Sequence, residues 1–171
     1  AWLATNPFVG GGFWFWVIPL HGKTSLGWVF DQRTARLEDL NRPEKATAWL
    51  IERFPLLARD LPQRKVLGWS GYRDYAHDCQ ETISAERWAM TGEAGRFTDP
   101  LYSPGSDLIA IYNTLLVDAI ETEDPAELAA KVRTYEQLER AVYGAYMPSY
   151  LYSYDALGDP EAFFHKYTWE L

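Results

Sequence analysis

The sequence predicts a mixed α and β fold in which an antiparallel sheet comes first and helices follow. Between residues 12 and 31, two short segments rich in β-forming residues are separated by a turn, a pattern typical of a hairpin. Apolar residues recur at helical spacing over residues 106–121, and a second helical pattern starts at Pro125. With 171 residues, 47% of them hydrophobic, the chain is long enough to bury one core or parts of two.

The first half of the chain predicts a hairpin and a helix. GFWFWVI, residues 12–18, forms the first arm of the hairpin, and residues 24–31 form the second arm after a turn at His21-Gly22-Lys23. The segment NRPEKATAWLIERF, residues 41–54, has an apolar stripe at helical spacing, and Pro55 ends that helix.

Further strands and a helix are predicted in the middle of the chain. Residues 65–79 have the aromatic content of one strand or of a bent pair of strands, and residues 87–92 form a short strand that ends on glycine. A helix then covers residues 106–121, and Ser106 is its predicted N-cap.

The last part of the chain is predicted to be helical. Asp124 caps a long helix that runs from Pro125 to about Ala145 and is expected to continue past Pro148. The aromatic tail over residues 143–157 is read as packing, with cover for an aromatic or lipid-like substrate as the alternative.

Charge and cysteine content exclude several classes of function. The net charge is −8, from 16 basic and 24 acidic residues, and no basic cluster offers a surface for nucleic acid. Because Cys79 is the only cysteine, a disulfide within the chain and a Cys-rich metal site are excluded, and a cytoplasmic location fits. No apolar run reaches the roughly 20 residues of a membrane span. Since the chain begins at Ala1, we expect a fragment of a longer protein.

A strand–loop–helix segment near residue 100 has the properties of a cofactor cradle. In ERWAMTGEAGRFTDPLYSPGSDLIAIYN, residues 86–113, the acidic Glu93 directly follows a strand, and Gly105 leads into a helix. Glycine lets a backbone approach a ligand closely, and a helix N-terminus attracts an electron-rich oxygen. A carboxylate at a strand end accepts hydrogen bonds from sugar or ribityl hydroxyls. An ordinary Gly/Pro loop with a helix cap remains the alternative.

Tyr75-Ala76-His77-Asp78-Cys79 raises a metal-site hypothesis, because His77 and Cys79 would share one face of a strand. No second pair of ligands lies at metal spacing, so a packed or solvated strand is the preferred interpretation and no metal is expected.

Two motifs give the chain a family resemblance. Trp14-Phe15-Trp16-Val17-Ile18-Pro19 is similar to the Trp-x-Trp-x-Ile-Pro signature of flavin-dependent halogenases. GEAGRFTDPLYSPGSDLIA resembles the second flavin-contacting segment of FAD-dependent monooxygenases, and within it Phe97-x-x-Pro100-x-x-Ser103-x-Gly105 is similar to a second halogenase signature. The resemblance covers most of the chain up to about residue 122.

The resemblance implies a function and a set of site residues. It implies FAD, reduced by a separate flavin reductase or by NAD(P)H, dioxygen, an organic small-molecule substrate, and chloride or bromide in a halogenase. The catalytic lysine of the family would lie upstream, so no catalytic residue is assigned here. The implied flavin contacts are Gly92, Glu93, Ala94, Pro100, Gly105, Ser106 and Asp107, the implied halide contacts are Ser103 and Gly105, and Trp14 and Trp16 would wall the passage to substrate.

The resemblance also implies a division of the chain. Residues 1–85 would be the antiparallel sheet and helix of the substrate domain. Residues 86–122 would be the last strand and helix of a Rossmann-like FAD-binding domain, and residues 123–171 a helical C-terminal region.

Departures from the family pattern keep two other functions open. No Gly-x-Gly-x-x-Gly opens a βαβ unit, Glu93 replaces the usual Asp, and Tyr102 stands where tryptophan halogenases have a catalytic Glu. Pro104 has no N–H to offer a halide. The alternatives are a flavin monooxygenase or reductase that uses no halide, and a non-catalytic aromatic-rich binding module.

Overall fold

The computed structural model describes residues 4–170, which form two compact units. The first contains the described residues up to Arg73 and those from Ser153 onward, and the second runs from Asp74 to Tyr152. No helix in the described part of the chain is long and apolar enough to span a membrane.

The helices and strands follow one another in the order β1 (Asn6–Gly10), β2 (Phe13–Leu20), β3 (Lys23–Phe30), α1 (Leu37–Leu40), α2 (Pro43–Arg53), α3 (Pro55–Asp60), a 3-10 turn (Leu61–Gln63), β4 (His77–Asp78), β5 (Ile83–Ser84), β6 (Trp88–Ala89), β7 (Arg96–Phe97), α4 (Gly105–Glu121), α5 (Pro125–Leu151), α6 (Ser153–Ala156) and α7 (Pro160–Glu170).

The sheet of the first unit contains the predicted hairpin. Strands β2 and β3 pair antiparallel from Phe13↔Phe30 to Leu20↔Lys23, and Gly22 adopts the left-handed φ of +70° that the tight turn requires. Strand β1 was not predicted. It pairs antiparallel with the other side of β2, and its Pro7 is tolerated because β1 is an edge strand.

The first part of strand β2, Phe13 to Phe15, is buried on both faces, which explains its run of aromatic residues. The Phe15 ring packs against Phe54, with 4.4 Å between centroids, and stacks on Phe8 at 4.6 Å. On the other face Trp14 is 4% exposed and its Nε1–H donates to the Tyr154 hydroxyl at 3.2 Å. Aromatic side chains on both faces therefore form the core of the first unit.

The predicted helix over residues 41–54 is present as α2. Pro55 ends α2 as expected, but it also begins α3, in which it occupies the first position. Proline is favoured there because the first N–H of a helix has no intrahelical partner.

The strand prediction for residues 65–79 is wrong except at its end. Only His77–Asp78 forms a strand, β4, which pairs antiparallel with β7. Residues 65–76 have no regular strand or helix, and Gly68 and Gly71 within them weaken any strand. The strand expected over residues 87–92 is limited to β6, which pairs antiparallel with β5.

Helix α4 confirms the helix predicted over residues 106–121. The predicted N-cap is wrong, because Pro104 occupies that position and Ser106 is the second residue of the helix. The chain enters the helix through a proline whose φ of −68° already suits the first turn.

Helix α5 is longer than the predicted segment. Asp124 caps it as expected, accepting a hydrogen bond at Oδ1 from the Glu127 N–H at 2.7 Å. The helix continues past Pro148 to Leu151, and the short α6 follows. The prediction that helix continues into this aromatic segment is therefore confirmed.

Every strand pair among the described residues is antiparallel. The mixed helix and sheet class is confirmed. The Rossmann-like character of residues 86–122 and the division of the chain into three domains stay predictions.

The second unit has a small apolar core and a buried ionic cluster. Ile83, Ala119, Leu128 and Val132 form the apolar core. The guanidinium of Arg96 is fully buried and lies among the carboxylates of Asp78, Glu136 and Glu139.

Each nitrogen of the Arg96 guanidinium donates a hydrogen bond. Arg96 Nε donates to Asp78 Oδ1 at 2.8 Å, and Nη1 donates to Thr82 Oγ1 at 2.7 Å. Burial raises the pKa of Glu136, but hydrogen bonds from Thr82 and Arg96 outweigh it and hold that pKa below its ordinary value. Burial raises the pKa of Glu139 above its ordinary value, although Thr82 and Arg96 oppose the rise. Because Glu136 and Glu139 are three residues apart on α5, they share one face of the helix.

We expect Arg96→Met to lower the free energy of unfolding by about 3–5 kcal/mol, because it leaves buried carboxylates without their cation. Arg133→Met is the matched control, since Arg133 is exposed on the same α5, and it should change stability by less than about 0.5 kcal/mol. Chemical denaturation of both variants measures the difference. Equal losses for the two variants would contradict a stabilising role of the cluster.

Candidate functional site

A groove of about 260 Å³ lies in the second unit beside the loop that leads into α4. Five of the residues predicted to contact flavin or halide line it: Glu93, Pro100, Ser103, Gly105 and Ser106. The other residues that line it are Phe97, Asp99 and Ile109. The predicted contacts Gly92, Ala94 and Asp107 neighbour lining residues in the chain but do not line the groove themselves.

Glu93 and Gly105 meet at the start of α4. A Cβ atom built on Gly105 would lie 2.6 Å from Glu93 Oε2, so the carboxylate rests where any other residue would place its side chain. The first N–H groups of α4 have no intrahelical acceptors, and that end of the helix carries partial positive charge. The arrangement presents a carboxylate acceptor and helix-end N–H donors side by side.

Glu93 is only partly buried, yet its environment affects its ionisation. Burial raises the pKa of the Glu93 carboxyl above its ordinary value, and the nearby His77 opposes the rise. The carboxylate is therefore held where it is poorly solvated, a common property of groups that bind ligands.

The start of the loop is fixed by Gly92. Its φ of +56° lies in the left-handed region, and its N–H donates to Asn113 Oδ1 on α4 at 3.0 Å. A Cβ on Gly92 would approach Ile109 Cγ1 at 3.2 Å. Both the conformation and the close approach therefore favour glycine directly before Glu93.

The far side of the loop is held by Asp99. Its Oδ1 accepts the Leu101 N–H at 2.8 Å, and its Oδ2 accepts the Tyr75 hydroxyl at 3.1 Å. Tyr102 and Ser103 have φ angles of +65° and +58°, a conformation that costs non-glycine residues about 1–3 kcal/mol each. This strained turn forms one wall of the groove.

The turn provides few backbone donors for a halide. The Ser103 N–H donates to the Pro100 carbonyl at 3.0 Å, and Pro104 has no N–H. Among Ser103, Pro104 and Gly105, only Gly105 has an N–H that donates to no carbonyl of this turn or of the helix.

Trp14 and Trp16 lie in the first unit, on the same face of β2, with ring centroids 5.6 Å apart. Trp14 is a core residue, whereas Trp16 is half-buried and its Nε1–H donates to Ser25 Oγ at 3.1 Å. Trp16 packs over Gly27, where a Cβ would come within 2.0 Å of the indole. Their role as the wall of a substrate passage stays a prediction.

Phe97 and Asp99 lie in the segment that resembles the flavin-contacting segment of the family. Neither Asp99 nor Ile109 was assigned a site role from the sequence. A helical stripe that includes Ile109 is the only sequence signal for that residue, and it indicates packing rather than a groove. Within residues 4–170, no group of three or more His, Cys, Asp or Glu side chains is arranged to hold a metal ion.

Known proteins resemble the chain in sequence and in fold. The tetracycline 7-halogenase of Kitasatospora aureofaciens is 32% identical over 137 residues, which are 72% of this chain and 24% of that protein. The flavin-dependent halogenase chlA of Dictyostelium discoideum is 25% identical over 144 residues, 81% of this chain and 24% of that protein. PqsL, a probable FAD-dependent monooxygenase from Pseudomonas aeruginosa, superimposes with a TM-score of 0.62 at 18% identity over 97% of this chain and 48% of that chain.

The chain belongs to the halogenase-like FAD-dependent monooxygenase family. The resemblance inferred from the two motifs is thereby confirmed. The chain spans about a quarter of the length of the two curated halogenases. No protein-family model matches it.

In this halogenase-like chain, we expect Glu93→Gln to raise the melting temperature at neutral pH. A carboxyl whose pKa is raised by folding contributes stability below its unfolded pKa, and loses that contribution as the pH rises through its folded pKa. Glutamine removes the poorly solvated charge, so the gain should be present at neutral pH and vanish in acid, where Glu93 is protonated. Thermal denaturation across this pH range measures it.

Glu86→Gln serves as the control for that prediction because Glu86 is exposed in the same unit. An equal pH-dependent gain in both variants would contradict the assignment of the effect to the groove.

Proposed function

We propose that the chain forms part of an FAD-dependent oxidoreductase that uses reduced flavin and dioxygen to act on an aromatic or other organic small molecule. The observation that carries the proposal is the groove in which the Glu93 carboxylate meets Gly105 at the first turn of α4. Named halogenases among the relatives support the same class of activity.

The residues of the groove fit part of a flavin. A carboxylate accepts hydrogen bonds from ribityl hydroxyls, and the N-terminal end of α4 suits an electron-rich carbonyl oxygen on the edge of the isoalloxazine. The missing side chain at Gly105 leaves room for the Glu93 carboxylate beside the first turn of α4, and Phe97 and Ile109 add apolar walls. A volume of about 260 Å³ suits the edge of a flavin, not a whole dinucleotide.

Bound FAD would supply the redox chemistry, with electrons delivered by a separate flavin reductase or by NAD(P)H. The residues of this chain would bind and orient: Glu93 through hydrogen bonds to the ribityl chain, and Gly105 and Ser106 through the first turn of α4. We assign no lysine of this chain the role of the family's catalytic lysine.

A second form of the proposal, oxygenation without halide, is supported by a specific observation. A halide in water-poor surroundings needs several donors to replace its hydration. The Ser103 N–H is used by the Pro100 carbonyl and Pro104 has none, so this turn is a poor halide site. We therefore favour direct oxygenation over halogenation.

We expect Gly105→Ala to weaken FAD binding by the full-length protein about tenfold or more while its folding stays intact, because the new Cβ displaces the Glu93 carboxylate. Alanine is a better helix former than glycine, so a loss of binding cannot be attributed to the helix. Flavin fluorescence titration measures the affinity.

The control for this prediction is Gly144→Ala on α5, where an added Cβ meets no atom within 4 Å. It should leave FAD binding unchanged and stabilise the chain by about 0.5–1 kcal/mol. If the full-length protein binds no flavin, the non-catalytic binding module is supported and the proposed oxidoreductase fails.

The two forms of the activity predict different products. With reduced FAD, dioxygen and a panel of phenols and pyrroles, direct oxygenation gives a product that gains an oxygen atom whether or not bromide is present, and this is the result we expect. Mass spectrometry identifies the product. A brominated product that requires bromide would instead support halogenation and show that Gly105 and groups outside this turn suffice for the halide.

A further inference from the structure

The segment from Tyr75 to His77, for which a metal site was considered and not expected, lies against the groove. Strand β4 pairs with β7 so that His77 is opposite Phe97. The Tyr75 ring meets Phe97 edge-on at 5.6 Å between centroids, and its hydroxyl donates to Asp99. Phe97 and Asp99 both line the groove, so this segment packs against residues of the groove wall.

His77 contacts two residues of the chain that follows Glu93, Ala94 and Phe97. Its ring is nearly parallel to Phe97, with 15° between planes and 6.3 Å between centroids. Its Nε2 lies 3.3 Å from the carbonyl oxygen of Ala94, the residue directly after Glu93. Its Nδ1 lies 2.8 Å from the Tyr75 carbonyl oxygen.

Both ring nitrogens of His77 therefore face carbonyl oxygens, which accept hydrogen bonds and cannot donate them. A neutral imidazole has one N–H, whereas the imidazolium has two and satisfies both carbonyls. The protonated form brings a positive charge to the Glu93 loop, and the interaction of His77 with Glu93 lowers the pKa of that carboxyl against the effect of burial.

Other charged groups near Glu93 do not replace this effect. Asp99 lines the same groove, and Asp107 lies in the first turn of α4, so both are acidic. Asp78, next to His77, is paired with Arg96. The buried Arg96 is itself surrounded by carboxylates. Among the described residues, His77 is the group whose interaction opposes the effect of burial on the pKa of Glu93.

We propose that His77 is a positioning residue of the groove: it fixes the Ala94 carbonyl and the Phe97 ring, and in its protonated form it favours the carboxylate form of Glu93 for ligand binding. The first part concerns this chain alone. The second rests on the proposed function, because it takes flavin as the ligand that Glu93 holds.

The first test needs no cofactor. Hydrogen-exchange mass spectrometry of the full-length apoprotein reports on the loop around Ala94, whose N–H donates to the Thr91 carbonyl at 3.2 Å. His77→Phe keeps the ring against Phe97 but removes both nitrogens, so exchange in this loop should increase. His77→Gln supplies one neutral donor toward Ala94 and should restore most of the protection.

The second test separates the electrostatic effect of His77 on Glu93 from its effect on the position of the loop. FAD affinity of the wild-type protein should fall in acid as Glu93 is protonated, and in both His77→Phe and His77→Gln this fall should begin at higher pH. In the affected pH range, the variants should bind FAD about two- to tenfold more weakly than the wild type. On a Glu93→Gln background, His77→Gln should have no further pH-dependent effect.

His165→Gln is the control for both tests, since His165 is exposed on α7 in the first unit. Unchanged loop exchange in His77→Phe would overturn the positioning role, and an unshifted pH profile in both variants would overturn the charge role. A wild-type protein that binds no FAD would contradict the proposed function, and the exchange experiment alone would then decide the inference.

Discussion

The second unit depends on the burial of one guanidinium, that of Arg96. A buried charge is costly unless it is paired and hydrogen-bonded, and the chain meets this need with carboxylates from β4 and from two positions of α5. The pairing fixes three elements relative to one another. Because Arg96 is followed directly by Phe97 in β7, the same constraint sets the strand that supports the groove.

The groove itself contains features that cost stability, in contrast to the satisfied cluster behind it. Tyr102 and Ser103 adopt left-handed conformations, Glu93 is a poorly solvated carboxyl, and Thr98 Oγ1 is buried without a hydrogen-bond partner in the described structure. Strained backbone conformations and buried polar groups without hydrogen bonds persist only where the surrounding structure maintains them. They are concentrated at ligand-binding sites. Their position beside the groove supports a binding role better than the lining residues alone.

The sequence predicted secondary structure correctly where several local signals agree. It was misleading where tertiary contacts determine the secondary structure. The hairpin, α4 and α5 follow from alternation, helical spacing and the Asp124 cap. Aromatic content alone suggested a strand over residues 65–79, although glycines interrupt it and the residues before β4 have no sheet partner among the described strands. The motif identified the loop around Glu93. The contacts of Asp99 with Tyr75 and of His77 with Ala94 join residues that are 24 and 17 positions apart, respectively, and no local pattern reveals them.

The Glu93 carboxylate, at the position where the family usually has aspartate, lies against a glycine on the other side of the loop. The longer side chain reaches across the loop to the first turn of α4, and the space for its carboxylate exists because residue 105 has no Cβ. The observed position of the Glu93 carboxylate therefore depends on the absence of a side chain at Gly105. His77 contacts the next residue of the loop, Ala94, and interacts electrostatically with the carboxylate. The glutamate thus places an acceptor at the end of the helix, beside the groove where a ligand hydroxyl can reach it.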